Sequence, residues 1–213
     1  MAAQGPNSSK NNKEGSAHMK IKITFLDELL GTQPMDSKLH EEYIASKAPD
    51  AKSREEEVAI MGVDGVVEKG KTTFPCLEDG TPFVWDYQIK GYLKDACGML
   101  RMVSGTRASK IKAYKKTIDG LVFVSPRKIP IAMNGEMGNC QRPLRASTPQ
   151  GERVALSNSD TVPEGSSMEL EIILLDESHR KLIEELLNYG KLRGLGQWRN
   201  SGKGRFEWEE IEC

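Results

Sequence analysis

Two glycine-bearing stretches of this chain carry residue types that hold phosphate. The first, Gly65–Thr72 (GVVEKGKT), satisfies the P-loop pattern G-x-x-x-x-G-K-[ST] letter by letter. That chemistry needs a preceding strand and a following helix whose N-terminal amides face the phosphates. Here Lys71 and Thr72 run into Phe74-Pro75, Gly80 and Pro82, which disfavour a helix, while Val66 and Val67 favour a strand. The expected structure is a hairpin with Gly70 in its turn, and a nucleotide triphosphatase is rejected. The second stretch, Gly194–Phe206 (GLGQWRNSGKGRF), misses P-loop spacing. Between Gly194, Gly196, Gly202 and Gly204 it sets Trp198, Arg199, Lys203 and Arg205, with no acid. Glycines let a backbone approach a ligand, Arg and Lys contact phosphates, and an indole stacks on a base. Taken alone, the stretch reads equally as a flexible connection carrying solvated charge.

Little else in the chain suggests reactive chemistry. Cys76, Cys97, Cys140 and Cys213 are widely spaced without a C-x-x-C, and His18, His40 and His179 are scattered. Neither a zinc site nor a disulfide scaffold is expected, and the prior is a reduced, cytoplasmic protein without cofactor or metal. No apolar run approaches the roughly 20 residues of a membrane-spanning helix. Across 213 residues the apolar share is 38% and the net charge −1, which supports a packed core and excludes a generally basic nucleic-acid binder. Charge is segregated, however. Residues 41–57 are acidic, whereas residues 90–116 hold Lys90, Lys94, Arg101, Arg107, Lys110, Lys112, Lys115 and Lys116.

The elements that must position these residues follow from apolar period. Residues 1–18 lack an apolar core and are expected to be an expression tag or disordered, with one domain spanning 19–213. Ile21, Ile23 and Phe25 alternate as a strand. An insertion at about 31–82 contains the acidic stretch and hairpins turning at VDGV and LEDGTP. Ile89, Leu93, Ala96, Cys97, Leu100 and Val103 fall on one helical face, followed by a basic loop and a strand at Leu121–Val124. Residues 133–164, rich in Gly, Pro and Ser, predict a long loop with a short strand near Arg153–Leu156. Met168, Leu170, Ile172 and Leu174 form a strand, and Ser178 caps a helix that Gly190 ends. Phe206 and Trp208 mark a closing strand. The order predicts an α+β fold with a ferredoxin-like/RRM-like core and large insertions.

Two motifs in register carry a family resemblance. Gln88-Ile89-Lys90-Gly91-Tyr92-Leu93-Lys94 resembles the Ser-Leu-Lys-Gly-x-Leu-Arg opening of the first helix in the RAMP superfamily of CRISPR-associated RNA-binding proteins. Lys90, Gly91 and Leu93 match; Gln88 replaces Ser, Lys94 replaces Arg, and no Pro-Gly precedes. Gly194, Gly196, Arg199, Gly202, Gly204 and Arg205 resemble the family's C-terminal glycine-rich loop. The resemblance covers about 19–30 and 83–213 and is greatest to the guide-RNA-binding backbone subunits of multi-subunit effector complexes. It implies a protein that grips single-stranded or guide RNA by its backbone, beside other RAMP-type subunits or copies of itself, away from membranes. The implied contact residues are Gln88, Lys90, Gly91, Lys94, Arg101, Arg107, Lys110 and Lys112, together with the glycine loop including Trp198 and Lys203. Leu121–Ile131 is the expected base of a projecting hairpin. Some relatives cleave RNA with an aspartate in the loop after the first strand, which makes Asp27 and Asp36, with His40 nearby, the catalytic candidates. A stand-alone, phage-encoded relative that inhibits such a complex, or coats single strands, is the other reading.

Overall fold

Alternation of apolar residues builds the central sheet. The structure, a computed structural model, describes residues 17–34, 71–148 and 151–211, with backbone alone for 144–148 and 151–156. In chain order it contains β1 (Ala17–Phe25), β2 (Leu29–Leu30), β3 (Gln33–Pro34), β4 (Lys71–Thr73), β5 (Phe83–Trp85) and α1 (Asp86–Leu100). Then come α2 (Tyr114–Leu121), β6 (Val122–Ser125), β7 (Lys128–Pro130), β8 (Gly138–Thr148), β9 (Gly151–Val162), β10 (Ser167–Leu174), α3 (Arg180–Asn188) and β11 (Phe206–Glu210).

Four strands pair antiparallel in the order β11-β1-β10-β6. With α1 between β1 and β6, and α3 between β10 and β11, this is the βαββαβ ferredoxin-like core, an α+β fold with insertions. Met19, Ile21, Ile23 and Phe25 of β1 and Met168, Leu170, Ile172 and Leu174 of β10 point to one side and are buried there. Ile89, Leu93, Ala96 and Cys97 of α1 and Leu182, Ile183, Leu186 and Leu187 of α3 cover them. Tyr92 locks the two helices together, its hydroxyl donating to the Leu186 carbonyl at 2.8 Å and its ring meeting Phe206 edge-on at 5.0 Å.

Several expectations need correction. Ala17 and His18, expected in the leader, belong to β1, paired with Leu174 and Ile173. Helix α1 ends at Leu100, leaving Val103 exposed. Asp176, not Ser178, caps the turn before α3, accepting from the Ser178 amide at 2.9 Å. The largest correction concerns residues 133–164, which are no long loop. They hold the longest hairpin of the described residues, β8 paired with β9 from Gly138↔Thr161 to Thr148↔Gly151. β9 also pairs with β2 and β4 in a second sheet. The expected hairpin base at Leu121–Ile131 splits instead, β6 joining β10 and β7 joining β5. Lys71 and Thr72 of the P-loop-like stretch lie in β4, and the Lys71 ammonium pairs with Asp160 at 2.7 Å. Residues 65–70 and the VDGV turn lie outside the described residues, whereas the LEDGTP turn closes as expected, with Cys76 bridging Pro82.

Candidate nucleic-acid interface

The glycine loop leaves α3 through a 3-10 turn at Tyr189–Lys191 and folds back on itself. The Leu195 amide donates to the Gly204 carbonyl at 2.9 Å, and the Gly204 amide to the Glu28 carbonyl at 2.8 Å. A Cβ at Gly194 would overlap the Lys203 carbonyl oxygen, and one at Gly204 the Leu195 carbonyl oxygen. These two glycines therefore close the loop, which buries Leu195. Gly196 faces Leu29 and Leu30, and Gly202 turns the chain at φ 87°.

The cations of both motifs have internal partners. Lys94 pairs with Asp119 at 2.8 Å, and Lys90 donates to the Asp119 carbonyl at 3.1 Å while lying 4.9 Å from the Phe123 ring centre. That ion pair lowers the Asp119 carboxyl pKa. Arg199 shares Asp95 with Arg193, at 2.8 and 2.6 Å. Lys203 meets Glu28 at 3.1 Å, and Arg205 meets Asp27 at 2.6 Å. Asp27, a catalytic candidate by sequence, is thus the anchor of Arg205. Asp36 and His40 lie outside the described residues.

The two motifs nevertheless meet. Gln88, Gly91 and Asp95 on α1 and Leu195, Gly196 and Arg199 on the loop line one cavity of about 310 Å³. A second hollow of about 440 Å³ adjoins it, with Thr32, Pro75 and Gln88 bordering both. Gln88 is fixed at this junction: its Oε1 accepts from the Trp85 amide at 2.9 Å and its Nε2 donates to Thr32 Oγ1 at 2.7 Å. The second hollow ends at residues that motif reasoning missed. Trp85 and Tyr87 lie nearly parallel, 16° apart with centroids 6.0 Å apart. The Arg127 guanidinium sits 5.5 Å from Trp85 and 5.6 Å from Tyr87, held by both Asp86 carboxylate oxygens at 2.8 and 3.0 Å. Lys128 lies 5.3 Å from Phe83. Phe83 and Trp85 alternate on β5, whereas Tyr87 lies in the first turn of α1, so strand period alone does not bring the three rings together.

The basic run is separate from this groove and differently built. Glu185 accepts from the Arg107 and Ala108 amides, both at 3.0 Å, and pins the loop backbone to α3. Arg107, Lys110, Lys112, Lys115 and Lys116 are exposed, and none has a carboxylate partner among the described residues. Arg101 lies 4.9 Å from the Tyr114 ring. This is the strongest unneutralised positive surface of the described residues.

No known family model and no curated protein sequence matches the chain. Among solved structures it is similar to a chain in the cryo-EM structure of the Type III-B Cmr-beta bound to cognate target RNA. The TM-score is 0.51 at 12% identity, covering 92% of this chain and 60% of that one. What is shared is the fold. This chain spans less than two thirds of its neighbour's length.

The open face of the core sheet contrasts with the groove. Lys20 stands opposite Glu171, and Lys22 stands between Glu169 and Glu209, with Glu207 also exposed. An RRM presents several stacking aromatics on its sheet; this face carries Glu169, Glu171, Glu207 and Glu209 against Lys20 and Lys22, with Phe123 exposed at its β6 edge, which disfavours a polyanion. The paired cations, in turn, give the groove a testable property. Asp95→Asn removes the carboxylate that holds Arg193 and Arg199 together. The expected result is a loss of about 1–3 kcal/mol in thermal or urea unfolding, together with tighter binding of single-stranded RNA at low salt, because Arg199 is released into the cavity. Weaker binding by a folded Asp95→Asn variant would show that the ion pair itself shapes the RNA site.

Proposed function

We propose that this chain is an RNA-binding member of the RAMP superfamily, a backbone-type subunit of an RNA-guided CRISPR effector complex. It holds the strand through phosphates and ring faces, without base-specific hydrogen bonds. The observation that carries the proposal is adjacency: the α1 motif and the glycine loop line one cavity, and Gln88 also borders the neighbouring hollow lined by Trp85, Tyr87 and Arg127. Apolar walls, stacked rings and guanidinium groups in sequence suit an unpaired strand, whose bases have π-faces and whose phosphates attract cations. The basic run at 107–116, apart from the groove, offers a second set of cations for the strand's phosphates. The solved chain of similar fold comes from an assembly bound to target RNA, which agrees with this reading. Other subunits or further copies of the chain are the expected partners, in the cytoplasm.

A second reading, a stand-alone relative that inhibits such a complex or coats single strands, draws support from the neutralised loop cations. Purification separates the two. A backbone subunit copurifies with RNA, shows excess absorbance at 260 nm, and forms salt-sensitive multimers. A discrete oligomer free of RNA, with no shift in fluorescence anisotropy of a labelled single strand at low salt, would overturn the RNA-binding reading.

A further inference from the structure

Where the long hairpin meets the glycine loop, one cation is buried without a counter-charge. Arg142 on β8 is 6% exposed. Its Nη2 donates to Gln197 Oε1 at 3.1 Å, but Nε and Nη1 are buried and have no hydrogen-bond partner. No carboxylate lies within ion-pair distance of it among the described residues. Asp160 is paired with Lys71, and Asp95 with Arg193 and Arg199. Around Arg142 the polar groups are neutral. The Gln197 amide donates to the Gly31 carbonyl at 2.8 Å, and Thr72 and Ser159 share a hydroxyl–hydroxyl bond of 2.7 Å. Burying guanidinium donors without acceptors is costly, so such groups normally find a carboxylate, a carbonyl or a ligand.

What covers this guanidinium is an indole. Arg142 Cζ lies 4.8 Å from the Trp198 ring, and Trp198 is 41% exposed. Trp198 has φ 53°, the left-handed region that a bulky residue rarely enters. It sits between Gly196 at φ 80° and Gly202 at φ 87°, two positions where the backbone turns freely. Strain of this kind persists where the surroundings demand it and concentrates at binding sites.

We infer that Arg142 is the buried half of a phosphate subsite, with Trp198 as its movable cover. The inference rests on the RNA-binding reading and adds a named position to it. The ligand class is a phosphodiester oxyanion of the strand, which accepts from one unpartnered donor, Nε or Nη1, together with the second hydrogen of Nη2, the pairings a guanidinium fork offers. The indole swings outward to admit the phosphate. The subsite lies where β8 meets the glycine loop at Gln197 and Trp198.

Arg142→Met keeps the bulk and removes the donors. In phosphate-free buffer the variant is expected to melt at or above the wild-type temperature, since costly buried donors are gone. Inorganic pyrophosphate is expected to raise the melting temperature of the wild-type chain by binding its folded form, and to shift Arg142→Met clearly less. Affinity for a single-stranded RNA ten-mer falls about tenfold or more. Arg142→Lys, with charge but no fork, recovers part of it. Lower melting of Arg142→Met together with equal pyrophosphate shifts in both proteins would overturn the subsite and leave Arg142 a packing residue. Trp198→Ala tests the cover independently: pyrophosphate is expected to stabilise it more than wild type, and loss of the shift overturns the cover. If wild type binds RNA and Arg142→Met binds it equally, the subsite fails while the RNA reading stands. If wild type binds no RNA, the RNA reading fails, and the subsite with it.

Discussion

Gly204→Ala lowers the melting temperature by about 6 °C or more, whereas Gly91→Ala raises it slightly. Both glycines belong to the motifs that point to RNA, but they do different work. At Gly204 a methyl group would overlap the Leu195 carbonyl, and φ of 70° disfavours any L side chain. Together these cost about 3 kcal/mol, and a chain of this size loses about 2–4 °C per kcal/mol. At Gly91 a methyl group meets nothing within 4 Å, and the residue lies inside helix α1. Alanine there gains about 0.5–1 kcal/mol of helix propensity. Gly91 also lines the cavity, so its added methyl intrudes on the space assigned to RNA. Higher stability with weaker RNA binding is the expected signature, read by thermal melts and fluorescence anisotropy. A Gly204→Ala chain that melts like wild type would refute the loop closure.

Trp85→Ala combined with Tyr87→Ala weakens single-stranded RNA binding by about tenfold or more at every salt concentration. Stacking on an aromatic ring contributes about 1–3 kcal/mol per base, and about 1.4 kcal/mol is tenfold in affinity. Neither ring carries charge, so the salt dependence keeps its slope. Changing Lys110, Lys112, Lys115 and Lys116 to Gln acts the opposite way. Removing one lysine–phosphate pairing flattens the slope of log affinity against log salt by about 0.7. Removing all four flattens it by about 3, and the difference from wild type vanishes at high salt. Parallel titrations at several salt concentrations distinguish the two contributions. An unchanged slope in the lysine variant would remove the 107–116 run from the RNA path.

The core was legible because its burial follows the sequence period. Ile21, Ile23 and Phe25, and Met168 through Leu174, alternate as strands should, and the helices show their apolar faces. The β8–β9 hairpin was not legible, for a physical reason. Its buried positions include Arg142, Ser159 and Thr161, and Pro143 interrupts its first strand, so the apolar alternation that announces a strand is absent. At the candidate site the motifs located the right segments, but not the state of their charges. Arg205 and Asp27 are 178 residues apart, and Arg199 and Asp95 are 104. Nothing local in the chain announces those pairs. Trp85, Tyr87 and Arg127 escape motif reasoning on the same ground, since Arg127 and Asp86 are separated by 41 residues.

The charges of the sheet's two sides have a consequence at long range. Glu169, Glu171, Glu207 and Glu209 lie on the open face, while Arg107 to Lys116 lie in the helical layer behind it. Among the described residues this arrangement separates negative from positive charge across the sheet. In the field of a polyanion such a separation produces a torque. On the RNA-binding reading, that torque favours approach with the helical layer toward the strand.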